Sequence, residues 1–395
     1  MKIYIFEDKR FSNFFPISST RAVFDIRIGK STFLERIIDI FPEHSISLIV
    51  RDELKELVSE YHPNFEVNPD SIEEGLWISG SVIWTKEDIK SLSDENTTFI
   101  NNDRLVAAKL SSSNASSWVS NGGPLESKPV NVELKNIEVY QCNYLWDIIK
   151  FIGQSINYDT NDLHHIDAVD YSQTKLINPK KIFINNAKIM QGTLINAENG
   201  PVIIDNNASI YGQTYIEGPA YIGNETIISP LTKIKNSVIG SNCKIGGEIE
   251  SSIIQGYSNK VHDGHLGDSF LGEWVNLGAG TSNSNLKNNY TPVKVRLNEK
   301  LIDTDSIHIG CFIGDHVKTA IGTLINTGTV IGAASMVSTY GFPPKHIPPF
   351  SWYVNRKSEK MDFNKFVLTA QKVKKRRNMG FTPIQEELYK KIADY

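Results

Sequence analysis

At 395 residues the chain is longer than one hydrophobic core usually serves, so two domains and an appendage are expected. Apolar residues make up 40%, enough for packed cores, while a formal charge of −4 supplies no basic field for nucleic acid or an anionic membrane surface. No apolar run approaches the roughly 20 residues of a membrane helix, and MKIYIFEDKR puts an acidic pair directly after its short apolar start, so a cytoplasmic protein is expected.

Residues 1–110 alternate short apolar runs with helical patterns: KIYIF, STFLERIIDIF, SISLIV, RDELKELVSEY, GLWISG and TTFIN. That order is βαβαβ, which predicts a Rossmann-like α/β domain with a parallel sheet and ligands at the strand C-termini. Residues 111–175 are less legible, with a Ser/Asn/Gly stretch (SSSNASSWVSNGG), a helix expected near NYLWDIIKFIG, and the polar connector NYDTNDLHHIDAVDYSQ.

A repeat decides the second half. Isoleucine occupies 204, 210, 216, 222, 228 and 234, an unbroken spacing of six. A helix face needs spacings of three and four and a lone strand needs two, so each hexad is one short side of a coil with every sixth side chain pointing inward. The register slips and resumes at Ile239, Ile245, Leu271, Leu277, Ile307, Ile313, Ile325, Ile331 and Val337, with Thr319 as a lapse. Glycine follows the aliphatic residue repeatedly, as at Ile222-Gly223 and Ile313-Gly314, where tight corners are expected. A parallel β-helix over residues 178–340 would stack such coils into a rigid rod around an aliphatic column. Between Leu277 and Ile307 the repeat breaks into the polar excursion TSNSNLKNNYTPVKVRLNEKLIDTD, and such insertions usually sit on a solenoid's binding face. Cys142, Cys243 and Cys311 lack the paired spacing of a zinc or redox site and read as buried hydrophobes in a reducing compartment.

Four prolines in PPKHIPPFSW stop the coil. Phe363, Phe366, Val367, Ala370 and Val373 then fall at helical spacing, and a second helix is expected after Thr382-Pro383, with Thr382 as N-cap and Gln385 at the capping-box position. The run Lys374 to Arg377 reads as a solvated helix end favourable to the macrodipole rather than a nucleic-acid patch.

The segment GEIESSIIQGYSNKVHDGHLGDSFLGEWVNLGAGTSNSN resembles the acetyltransferase part of the GlmU-like bifunctional family, which joins N-acetylglucosamine-1-phosphate uridylyltransferase and glucosamine-1-phosphate N-acetyltransferase activities. The likeness is specific over residues 245–340 and implies a left-handed coil, acetyl-CoA as cosubstrate and a homotrimer. It carries the family's histidine, a glutamate fourteen residues earlier and the asparagine of an N-[IL]-G-A-G-T signature onto His262, Glu248 and Asn276. Chemistry asks for such a set independently. An amine or hydroxyl attacking a thioester must lose a proton, for which imidazole is the usual base, while a carboxylate orients it and an amide meets the oxyanion. Asn285 matches the family's later asparagine. The chain departs from the pattern at Glu250 for a lysine, His265 for a tyrosine, and Asn285-Leu286-Lys287 for an asparagine-tyrosine-aspartate loop. Lys287, Lys294 and Arg296 are candidate replacements for phosphate contacts, beside the alternative of exposed loop cations. The resemblance places CoA contacts around Gly314, Asp315 and Ala333.

At the other end, PISSTRAVFDIRIGKSTFLERI resembles the stretch of sugar nucleotidyltransferases that follows their glycine-rich loop, which implies phosphate contacts at Arg21 and Lys30. The G-x-G-T-R loop itself is absent, with IFEDKRFSNFFP in its place, and Asp103 of FINNDRL is a loose match to a metal-binding aspartate. Mg²⁺ would be required if nucleotidyl transfer is retained.

The expected organisation is therefore a nucleotidyltransferase-like α/β domain over 1–175, a β-helix acyltransferase domain over 176–350 and a helical tail over 351–395. Three functions stay open: acyl transfer to an amino-sugar phosphate or nucleotide sugar, sugar-1-phosphate nucleotidyl transfer with the coil as a trimerisation rod, and sugar-nucleotide binding without turnover.

Overall fold

The computed structural model describes residues 1–161, 163 and 173–394, so most of the expected connector over 157–173 lies outside the described residues. The chain divides into two units. One comprises Met1–Phe14, Thr20–Ile26 and Ser31–Tyr144; the other comprises Phe15–Ser19, Arg27–Lys30 and Leu145–Tyr395.

In the first unit the elements are β1 (Lys2–Phe6), α1 (Phe33–Ile40), β2 (Ser45–Ile49), α2 (Lys55–Tyr61), β3 (Glu66–Val67), β4 (Gly75–Ser79), β5 (Val82–Ile83), α3 (Lys86–Lys90), β6 (Thr97–Asn101), β7 (Arg104–Leu110), α4 (Ser112–Ser120), β8 (Glu133–Asn136) and β9 (Tyr140–Gln141). The sheet order is β3-β2-β1-β4-β7-β6-β8. Strands β1 to β4 pair in parallel as expected, but β7 runs antiparallel to both β4 and β6, so the sheet is mixed. The physical reason is the turn Asn102-Asp103: both residues have positive φ (46° and 61°), as a two-residue hairpin requires, and the chain folds back instead of crossing over. Helix α1 starts at a capping box, with Thr32 Oγ1 accepting from Glu35 N and the Glu35 carboxylate accepting from Thr32 N. The illegible Ser/Asn stretch is α4, whose N-cap Ser111 accepts from Asn114 N and whose Trp118 packs on Trp77 and Phe6 in the core.

The second unit opens with α5 (Leu145–Lys150) and α6 (Ile152–Asp159), then coils. Ile204 pairs with Ile222, Ile210 with Ile228 and Ile216 with Ile234, so residues 18 apart stack and the isoleucine series visits three faces in turn. All six are fully buried. The expected single column is therefore three. Face A carries Ile189, Ile210, Ile228, Ile245, Lys260, Leu277, Thr319, Val337 and Tyr353 inward. Face B carries Ile195, Ile216, Ile234, Ile249 and Leu266, then the buried Asn283 and Ile325, and face C runs from Ile184 to Ile347. Burying each aliphatic side chain contributes about 1.5–3 kcal/mol.

Ile307 is not part of this ladder: it is 38% exposed, because the excursion has displaced it from the rung. Within the excursion, Lys294–Leu297 and Lys300–Asp303 form an antiparallel hairpin whose Val295 and Leu297 are buried, as is the preceding Val293. At the lapse, Thr319 Oγ1 accepts from Gly278 N at 3.0 Å and meets Thr281 Oγ1 at 2.8 Å, so the hydroxyl is satisfied inside the coil. Helices α7 (Phe363–Lys375) and α8 (Pro383–Asp394) cap the rod, with Phe366, Val367, Ala370 and Tyr389 packed on Ala333, Ala334 and Phe350. The expected capping box forms, with Gln385 N donating to Thr382 Oγ1 and Thr382 N to Gln385 Oε1, both at 3.2 Å. One member of the basic run departs from a solvated face: Lys374 is buried, donates to Gln385 Oε1 at 2.7 Å and lies over the Trp274 ring.

Candidate functional site

Glu248, His262 and Asn276 come from three successive rungs. Glu248 opens face B of one rung, where it pairs in register with His265 of the next. His262 lies in the corner between faces A and B of that second rung, after Asn259–Lys260 and before His265–Gly267. Asn276 opens face A of the third rung, bridged to Asn259 on one side and Lys318 on the other. All three side chains are exposed, and among the described residues no hydrogen bond ties His262 to either partner. Asn276 Oδ1 accepts from Asn259 Nδ2 at 3.3 Å, which leaves its amide nitrogen available.

Beyond His262 the same corner continues along the rod as glycines. Gly280 N donates to Asp263 O at 3.1 Å and Gly322 N to Ala279 O at 2.7 Å. Gly280 and Gly322 both sit at φ +71° and Gly341 at +73°, and a Cβ at Gly322 or Gly341 would meet nothing within 4 Å. The result is a smooth, open edge flanked by exposed Ile321, Leu324, Tyr340 and Phe342.

On face B the neighbours of Glu248 form a polar floor. Asn285 Nδ2 donates to Asp268 Oδ2 at 2.6 Å, and burial holds the Asp268 carboxyl above its usual range despite that bond. A Cβ on Gly267 would fall 2.4 Å from His265 Nε2 and 2.9 Å from Asn285 Nδ2, so only glycine lets both side chains lie over that strand. Glu250, which stands where the family has a lysine, is 3.7 Å from Lys235 of the preceding rung. Lys235 is a cation that the linear sequence did not single out, because the stacking that brings it there is 15 residues long. Lys287 is engaged within its own loop, donating to Pro292 O at 2.5 Å and Thr291 Oγ1 at 3.3 Å, and Lys294 sits 3.9 Å from Asp303 on the hairpin.

The expected CoA contacts Gly314, Asp315 and Ala333 lie elsewhere and are buried. Asp315 Oδ1 accepts from Glu273 N at 2.7 Å, a Cβ on Gly314 would meet Ala333 N at 2.8 Å, and Ala333 is covered by α7 and α8. Gly314 and Asp315 therefore tie one rung to the next, and Ala333 lies beneath the terminal helices.

In the first unit, the C-terminal end of β1 is where a doubly wound sheet binds ligands, and here it is filled by the chain's own ion pairs. Glu7 is buried against Arg51 at 2.5 Å and accepts from Val23 N at 3.0 Å, yet burial still pushes its carboxyl above the usual range. Asp8 pairs with Arg104 at 2.9 Å, and Arg104 also donates to Cys142 O, Asn143 and Ser81. The gap bounded by Phe6, Glu7, Asp8, Phe14, Val23, Ser81 and Arg104 leaves no room for a water molecule. Arg21 is buried, and its carbonyl accepts from Arg51. Lys30, in the second unit, has its backbone amide bound to Asp159 Oδ2 at 2.7 Å. Asp103 is exposed at the β6–β7 turn, with its carbonyl taken by Lys128. Among the described residues no three His, Cys, Asp or Glu side chains gather as a metal cluster.

Residues 3–166 match the family described as sugar nucleotidyl transferase. A bifunctional sugar-1-phosphate nucleotidylyltransferase/acetyltransferase of Sulfurisphaera tokodaii is 39% identical over 47% of this chain and 50% of its own length. Bifunctional GlmU proteins align at 24% identity for Thermotoga maritima (57% of this chain, 56% of the relative) and at 30% for Thermodesulfovibrio yellowstonii (49% and 40%). The chain thus spans about half the length of the curated relatives it matches. The chain is thus similar over residues 3–166 to sugar nucleotidyl transferases, and over about half its length to bifunctional sugar nucleotidyltransferase/acetyltransferase proteins.

Proposed function

We propose that the chain is an acyltransferase that moves an acetyl group from acetyl-CoA to an amino-sugar phosphate or nucleotide sugar. What supports this reading is the register, which sets Glu248, His262 and Asn276 on three successive rungs along faces A and B, beside a corner that continues as an open glycine edge. His262 removes the proton from the acceptor nitrogen or oxygen as it attacks the thioester carbonyl. Asn276 donates to the oxyanion, Glu248 balances the imidazolium charge, and collapse of the intermediate breaks the C–S bond and releases the CoA thiol. The pantetheine arm lies along Gly280, Gly322 and Gly341, where no side chain obstructs it. His265, Asn285, Asp268 and Lys235 form the acceptor's polar floor. Exposed Ile321, Tyr340 and Phe342 beside that edge supply the apolar surface for a homotrimer that would close the cleft.

A second reading is sugar-1-phosphate nucleotidyl transfer by the first unit, favoured by the family match over residues 3–166. The Glu7–Arg51 and Asp8–Arg104 ion pairs that occupy the end of β1 weigh against it. Native mass spectrometry with acetyl-CoA, UTP and UDP-N-acetylglucosamine, paired with assays for free thiol and for pyrophosphate, separates the readings. Thiol release that depends on an amino sugar is expected; pyrophosphate release without it would reverse the assignment.

A further inference from the structure

The polar interruptions of the three inward columns are not scattered. Lys260, Asn283 and Thr319 all border the A–B corner on or beyond the rung of His262. Lys260 is the least expected of them, since it occupies the column position between Ile245 and Leu277 and is 2% exposed. A long aliphatic stem fills that slot as isoleucine does on the rung before, but the ammonium must be desolvated. Replacing a buried charge by a hydrophobe of similar volume is commonly neutral or stabilising, so stability alone does not account for a lysine here.

Its contacts show what it does. Lys260 Nζ donates to Gly246 O of the preceding rung at 2.9 Å and to the carbonyl of His262 itself at 2.7 Å. Gly247, at φ +79°, makes room for this: a Cβ there would meet Lys260 Nζ at 2.7 Å, Gly264 O at 2.8 Å and His262 O at 2.9 Å. We propose that Lys260 is a positioning residue for His262, clamping the histidine's own carbonyl to the rung beneath it. The proposal rests on the acyl-transfer reading and deepens it: an exposed imidazole to which no side chain is hydrogen-bonded among the described residues depends on its backbone for its place, and that backbone is held from inside the rod.

Burial pushes the Lys260 amine down to about 8, with the Asp263 carboxylate acting against the shift. Its face A neighbours Ile245 and Leu277 and the glycines at 246, 247 and 264 carry no charge, so His262 and Asp263 on its own corner are the titratable groups around it. A clamp with this amine weakens on the alkaline side, where the ammonium loses the charge that strengthens its bonds to the two carbonyls.

The test compares the full-length protein with Lys260→Met and His262→Ala. Acetyl-CoA and glucosamine 1-phosphate serve as probe substrates, and thermal unfolding and the His262 ring and amide resonances are followed in parallel. For Lys260→Met the expected result is a melting temperature unchanged or higher, kcat at least tenfold lower with KM within about twofold, and loss of amide-exchange protection at Glu248 and Gly280, whose amides donate to the carbonyls of Gly264 and Asp263 on this corner. The wild-type corner resonances should also show a midpoint near pH 8 that the variant lacks. Turnover within twofold of wild type, or a fall in melting temperature with kcat and KM moving together, would overturn the proposal and mark the lysine as packing. If His262→Ala turns over like wild type, acyl transfer at this corner is rejected, and Lys260 is then judged by the resonances alone. If His262→Ala is inactive and Lys260→Met is not impaired, only the clamp is rejected.

Discussion

Replacing Ile228 by alanine puts the column architecture to a quantitative test. Ile228 is fully buried on face A, stacked between Ile210 and Ile245. The substitution removes three carbons, about 2.4 kcal/mol at roughly 0.8 kcal/mol each. The gap left between two flanking isoleucines adds about 1 kcal/mol, because a rung pinned by backbone hydrogen bonds on both sides cannot collapse into it. The expected loss is therefore about 3–4 kcal/mol. Ile307→Ala is the matched control: it falls in the same sixfold spacing, yet its side chain is half exposed on the excursion, so a loss under about 1 kcal/mol is expected. Urea unfolding of both variants, following the transition of the coil, gives the two midpoints. Equal losses would refute the assignment of inward and outward positions, as would a change of slope in place of midpoint.

Thr319→Val removes the acceptor of Gly278 N while keeping the shape, leaving a part-buried amide unpaired, and should cost about 1 kcal/mol by the same measurement. Arg104→Ala leaves Asp8 without its buried partner and should destabilise the first unit by about 3–5 kcal/mol, read from its denaturation midpoint. His62 is held above its usual range because the hydrogen bond and charge of Asp25, 2.8 Å away, overcome the opposing effect of burial. Its contribution to stability is present in full below the unfolded-state value of about 6.5 and fades as pH rises through the raised folded-state value. Unfolding curves at acid and alkaline pH should show that difference in wild type and lose it in His62→Gln. Gly322→Trp fills the open edge and should raise the KM for acetyl-CoA at least tenfold while the coil still forms, measured by initial rates at varied acetyl-CoA.

The hexad signal made the coil legible because one interior residue per face repeats at a fixed interval, and no other architecture imposes that spacing. Elsewhere the same signal failed in identifiable ways. It assigned Ile307 inward because an excursion can restore the spacing without restoring the rung. It passed over Lys260, since a lysine in linear sequence carries no mark of burial; only the pairing of Asn259–Lys260 with Lys244–Ile245 reveals the column it joins. The excursion hairpin was written in the alternation of VKVRLNEKLID, but the surrounding polar residues masked it. In the first unit the βα order was readable from apolar runs, whereas the antiparallel β7 followed from a turn, Asn102-Asp103, whose left-handed dihedrals two adjacent polar residues only suggest. For the site, Glu248, His262 and Asn276 were legible as a match to a family motif, although stacked partners lie from 15 to 18 residues apart. The burial of Ala333 was not legible, because it depends on where two helices beginning 30 residues or more downstream come to rest.

Acyl transfer at this corner is decided by thiol release from acetyl-CoA by His262→Ala in the presence of an amino-sugar phosphate, with acetyl-CoA affinity determined by calorimetry on the same sample. Loss of a general base should reduce turnover about 10²-fold or more and leave affinity unchanged. Undiminished turnover, or loss of affinity in step with turnover, would contradict that role.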